Sequence, residues 1–130
     1  IAKKFITNIT SSKKKEIKSI LDCVFLAKEL IKKMQLNEFG LLLDESWKMK
    51  KKLHKEISNN ELNYIYDLGK KNGALGGKIL GAGGGGFFLF YVPFEKRIFF
   101  LKKMNFLTNI PFEFEDKGSQ IIFNSIKKIK

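Results

Sequence analysis

Gly81-Ala82-Gly83-Gly84-Gly85-Gly86 separates Lys78-Ile79-Leu80 from the continuous apolar run Phe87-Phe88-Leu89-Phe90-Tyr91-Val92. Glycine loses more backbone entropy on folding than any other residue, so such a run marks a place where the chain needs positive φ or close backbone approach. Two readings fit it. One is a crowded turn between two buried strands. The other is a loop whose N–H groups converge on an anion such as a phosphate. In either case the segments on both sides are strands that the run folds back on each other.

The rest of the pattern is helical before the glycines and mixed after them. Following Ser11-Ser12, a candidate N-cap, apolar residues recur at Ile17, Ile20, Leu21, Val24, Ile31 and Met34, a single helical stripe. Asn37 is placed to cap a second helix carrying Phe39, Leu42, Leu43, Trp47 and Leu53. Asn59-Asn60 opens a third with Leu62, Ile65, Tyr66 and Leu68, which Gly73 should stop. Lys78-Ile79-Leu80 is read as a short strand, and Phe87 to Val92 as a strand at the centre of a sheet. Pro93 leads into a fourth helix through Ile98, Leu101 and Met104. Phe112-Glu113-Phe114-Glu115 alternates strictly, turns at Asp116-Lys117-Gly118 and leads to Gln120-Ile121-Ile122-Phe123, two further strands. Strands joined by short turns pair antiparallel, so the expected class is α+β.

A chain of 130 residues with 44% hydrophobic content supports one domain with a real core. The domain is expected over 16–124, with a leading segment at 1–15 and a basic tail at 125–130. No apolar run is long enough to cross a bilayer as a helix. Cys23 is the one cysteine, which excludes an internal disulfide and is read as a structural thiol in a reducing, cytoplasmic setting. The formal charge of +12 raises nucleic-acid binding as a rival, for instance a basic module stacking single strands on exposed aromatics. Its make-up argues against that. Arg97 is the only arginine among 25 basic residues, and the lysines spread over every expected helix. Bidentate recognition of bases and phosphates favours arginine. His54 stands among lysines and is read as solvated. No Cys/His cluster suggests a metal site.

The stretch Gly73-Ala74-Leu75-Gly76-Gly77-Lys78-Ile79-Leu80-Gly81-Ala82-Gly83-Gly84-Gly85-Gly86-Phe87 closely resembles the third, C-terminal motif of the GHMP small-molecule kinases. A second stretch, Phe39-Gly40-Leu41-Leu42-Leu43-Asp44-Glu45-Ser46-Trp47, then Lys50-Lys51 and Ile57-Ser58-Asn59, is similar to the sugar-kinase branch. Within that branch it resembles the D-glycero-D-manno-heptose 7-phosphate kinases. Asp44 replaces a common His of that pattern, and Asn60 and Asn63 replace a Pro and an Asp. These departures bear on which sugar is accepted, and a fucose or mevalonate type of specificity is the alternative.

The resemblance implies a ferredoxin-like sandwich with a mostly antiparallel four-stranded sheet. It also implies that the chain, which opens on Ile1, is the C-terminal part of a two-domain kinase. The N-terminal domain would bind ATP and most of the Mg²⁺ coordination, so these residues are expected to be inactive alone and to hold no catalytic residue. The intact enzyme would transfer phosphate to a sugar phosphate, in the synthesis of nucleotide-activated heptose. Gly81, Ala82, Gly83, Gly84, Gly85 and Gly86 would form the phosphate and interdomain loop. Glu45, Trp47 and Lys50 are the substrate-side candidates: a carboxylate for hydroxyls, an indole for a sugar face, a lysine for a phosphate. Core packing for Trp47 and plain surface charge for the other two are the competing readings.

Overall fold

The computed structural model describes residues 13–120. Helix α1 (Lys14–Lys32) is followed by α2 (Leu36–Leu53), a 3₁₀ turn (Lys55–Ile57) and α3 (Asn60–Lys71). Strand β1 (Gly76–Ile79) pairs antiparallel with β2 (Phe88–Tyr91), and a second 3₁₀ turn (Phe94–Lys96) runs into α4 (Arg97–Lys103). The class is mixed helix and sheet.

The helix ends are set by backbone closure. At the end of α3 the Ala74 N–H reaches Gly69 O and the Gly73 N–H reaches Lys70 O, with Gly73 at φ 111°. This double closure needs a left-handed residue, which is why the helix stops where the glycine stands. The α1–α2 turn uses the same pattern, Gln35 N–H to Leu30 O and Met34 N–H to Ile31 O. Here Met34 takes the left-handed position at φ 56°, a conformation costing a side chain about 1–2 kcal/mol. Asn59 caps α3 by accepting from the Leu62 N–H at 2.9 Å. Asn37 does not cap α2. The helix begins a residue earlier, and Asn37 instead accepts from the Tyr91 hydroxyl at 3.2 Å. Ser11 and Ser12 lie outside the described residues.

Side-chain absence lets α2 lie directly on the hairpin. A Cβ on Gly76 would stand 2.0 Å from Gly40 O and 2.7 Å from the Asp44 nitrogen, so β1 and α2 touch backbone to backbone. A Cβ on Gly40 would meet the Tyr91 ring at 2.4 Å. On the other side of the sheet, a Cβ on Gly69 of α3 would meet the Phe90 ring at 2.7 Å. Phe90 is the hub that results. It stacks on Tyr66 and Phe88 at centroid distances of 5.8 and 5.4 Å and packs on Phe100 at 5.5 Å. It thereby joins the cluster of Trp47, Ile57, Leu62, Tyr66 and Ile79 to that of Ala74, Val92, Phe100 and Met104.

Several expectations are corrected. The sheet has two strands among the described residues, not four. Phe112–Glu115 forms no strand, and its aromatics are exposed, Phe114 at 94%. Alternation supplies a face, but a strand needs a neighbour to take its backbone groups, and residues 121–123 of the expected partner lie outside the described residues. β2, expected at a sheet centre, has one neighbour among the described residues and is half-buried. In α4 the buried face is Phe100 and Met104, while Ile98 is exposed. The tail at 125–130 and most of the leading segment are outside the described residues.

Gly76→Ala should destabilise the fold by about 1–3 kcal/mol, the range for forcing added volume into a packed site. Urea unfolding monitored by circular dichroism reads this directly, and an unchanged midpoint would disprove the backbone contact. Met34→Gly should do the opposite. Met34 is exposed, so relief of the left-handed strain should raise stability by about 0.5–1 kcal/mol.

Candidate functional site

The glycine run closes the β1–β2 hairpin, with Leu80 N–H donating to Phe87 O at 2.9 Å where the ladder ends. Gly81, Gly83, Gly84 and Gly86 have φ of 79°, 100°, 77° and 110°, conformations that a Cβ penalises. The two readings of the run turn out to describe its two halves. The middle is pinned: Gly84 N–H donates to Ile57 O at 3.0 Å, and a Cβ on Gly83 would lie 2.8 Å from the same oxygen. The flanks are open, because a Cβ on Gly81 or Gly85 would meet nothing within 4 Å. Among the described residues, no acceptor engages the amides of Gly81, Ala82, Gly85 or Gly86. An exposed rim of free N–H donors held by a fixed centre can receive anionic oxygens.

Lys50 completes the anchoring. Its Nζ donates to Gly81 O at 2.7 Å, tying the last turns of α2 to the loop. Burial, and then the charge of Lys78, push the Lys50 ammonium below its usual range. Lys78 projects from β1 into the groove between α1 and α2, where Ser46, Leu42, Leu43 and Cys23 also line the walls. Ser46 lies one turn before Lys50 on α2, so both belong to one helix face.

The structure separates the three substrate-side candidates. Lys50 joins the loop. Glu45 is exposed on another face of α2, beside Glu38, Leu41 and the α1 residues Leu26 and Leu30. Trp47 is 1% exposed, packed on Tyr66 at 6.1 Å within the core, and its ring faces are closed to a sugar. Phe88 and Phe90 likewise pack inward, which removes them as a stacking platform for nucleic-acid bases. His54 is not merely solvated: its Nδ1 accepts from Glu56 N–H at 3.2 Å and starts the 3₁₀ turn that carries Ile57 to the loop. Cys23 is free and half-buried, and burial, then Glu45 and Asp22, push its thiol up.

Asp44, which the sequence marks only as a departure bearing on the sugar, has a structural role. It is 8% exposed and accepts from the Tyr66 hydroxyl at 2.6 Å. Lys48 lies 2.7 Å from its Oδ2 and Lys70 3.6 Å from its Oδ1, and Lys70 also donates to Leu75 O. Burial alone would raise its pKa; hydrogen bonds from Lys48 and Tyr66 and the charges of Lys70 and Lys48 outweigh it and hold the carboxyl below its usual range. The i,i+4 spacing to Lys48 was the one available signal. Burial, then the bond to Asp44, pushes the Tyr66 hydroxyl up. The network joins α2, α3 and the entry to β1, so its role is to hold the hairpin's base.

Residues 27–105 match the family described as GHMP kinases C terminal, and the chain belongs to that family. Over 77 residues it is 38% identical to a D-glycero-alpha-D-manno-heptose 7-phosphate kinase of Campylobacter jejuni subsp. jejuni serotype O:2. That alignment covers 59% of this chain and 23% of the relative, so the chain spans about a quarter of that protein's length.

A lowered carboxyl pKa stabilises the fold above the unfolded value near pH 4, and the contribution fades as pH falls through the folded pKa. Asp44→Asn should therefore lower the melting temperature at pH 7. The gap to the parent protein should shrink as pH is brought below about 4. A gap that is constant with pH would show that the carboxylate charge contributes nothing.

Proposed function

We propose that this chain is the C-terminal part of a cytoplasmic, ATP-dependent sugar kinase that phosphorylates a hydroxyl of a heptose 7-phosphate. The observation that carries this reading is the glycine hairpin itself, pinned at Gly83–Gly84 and open at Gly81 and Gly85, in a chain of this family. Phosphoryl transfer asks a protein mainly for positioning and for stabilisation of charge on the transferring group. Free backbone donors on a fixed turn serve that purpose without side-chain bulk. The likeness to a heptose 7-phosphate kinase supports the acceptor class.

The loop's open rim fits phosphate oxygens, and ATP is the phosphoryl donor in this reading. ATP supplies the transferable group, Gly81 to Gly86 border the cleft it reaches, and Lys50 keeps the loop in place. Among the described residues no three carboxylate, His or Cys groups gather, and in this proposal the remainder of the kinase holds Mg²⁺ and most of the nucleotide. In this reading the complete domain is a ferredoxin-like sandwich. Activity would then require the N-terminal domain.

The test uses the full-length protein with ATP and D-glycero-D-manno-heptose 7-phosphate, following ADP release and the bisphosphate product. Turnover is expected with the full chain and absent from residues 1–130. Gly83→Ala places a Cβ against the Ile57 backbone and should cut kcat by tenfold or more with the fold retained. Robust ATP-dependent transfer by the 130 residues alone would refute the division of labour.

A further inference from the structure

Near the hairpin, two pairs of lysines face different surroundings. Lys48 and Lys70 both converge on the Asp44 carboxylate. Lys50 and Lys78 converge on no carboxylate among the described residues, although Lys50 is half-buried. They share one patch: Lys78 lies along the groove with Ser46, Lys50 follows Ser46 by one helical turn, and Lys50 reaches Gly81 at the loop's open edge. The charge of Lys78 acts on Lys50, and positive charge beside unused backbone N–H donors suits an anion. The Gly81 carbonyl takes one of the three N–H groups of Lys50 and leaves two.

We propose that Lys50 and Lys78, with the open flank of the glycine loop, bind the phosphate monoester that the acceptor sugar already carries. The inference rests on the phosphosugar-kinase reading and adds to it the residues that select a phosphorylated acceptor. The charge balance is the first support. A monoester carries about −1.5 to −2 at pH 7, which two ammonium groups offset. Direct cation contact is the second: lysine holds a phosphate as a point charge, with no metal between them. Ser46, on the same wall as Lys78, is placed to add a hydroxyl.

The experiment compares the full-length parent protein with Lys50→Gln, Lys78→Gln and the double variant. Heptose 7-phosphate binding is measured by calorimetry without nucleotide, and KM is measured for both substrates, with melting curves to confirm folding. Each single change should weaken phosphosugar binding about tenfold or more, the size of a lost charged hydrogen bond. For Lys78→Gln, which does not tie the loop, the KM for ATP should stay within about twofold. Unchanged phosphosugar affinity in the double variant overturns the proposal, as does a parent protein that does not bind the phosphosugar. A loss in Lys78→Gln that falls on the KM for ATP and spares phosphosugar binding also overturns it and assigns the patch to the nucleotide. Should the parent bind the phosphosugar with these lysines yet transfer nothing to it, the kinase reading fails while the binding site stands.

Discussion

The contact of Gly40 with Gly76 fixes the position of everything else. Because Gly76 has no Cβ, β1 lies at backbone distance from Gly40 O and the Asp44 nitrogen of α2, and Gly40 in turn leaves room for the Tyr91 ring. That closeness turns Asp44 under the Tyr66 hydroxyl and brings Lys50 within reach of Gly81. It also lets Phe90 sit between two clusters, since Gly69 leaves room for its ring. A hairpin of two short strands is marginal by itself. Here it is held by a helix on one side and an aromatic hub on the other, so its loop can be glycine-rich and still have a defined shape.

Charge is arranged on the same frame. Twelve excess positive charges suggest a uniformly basic surface, yet the lysines near the hairpin differ in what they contact. One pair locks the base of the hairpin through a buried carboxylate. The other pair stands at the loop edge with no countercharge among the described residues. The first arrangement favours rigidity, because a buried ion pair is costly to break. The second favours an anionic ligand, and both depend on α2 presenting residues 44, 48 and 50 at successive angles.

Much of this was legible in the sequence wherever a backbone constraint leaves a local mark. The third helix was bounded by Asn59 and Gly73 because capping and left-handed closure each demand particular residue types. The hairpin was legible because six small residues admit few alternatives. What escaped were features set by partners distant in sequence. Asp44 stood out only as a departure from the heptose-kinase pattern, since Tyr66 and Lys70 approach it only once α3 is packed. Trp47 could have served a sugar or the core, and only its neighbours decide that. Phe112–Glu115 carries a strand's alternation, but alternation does not supply the pairing edge. Ile98 and Phe100 are equally apolar, and the stripe of α4 is chosen by where Phe90 stands.

The central claim is that the hairpin loop borders a phosphate site completed by the rest of the kinase. Backbone amide chemical shifts in the full-length protein test it most directly, titrated with ATP and with heptose 7-phosphate. The account predicts that the amides of Gly81, Ala82, Gly85 and Gly86 move on addition of these ligands, while Gly84, bonded to Ile57, stays near its starting position. Ligand-induced shifts that bypass the loop and fall elsewhere in these residues would contradict it.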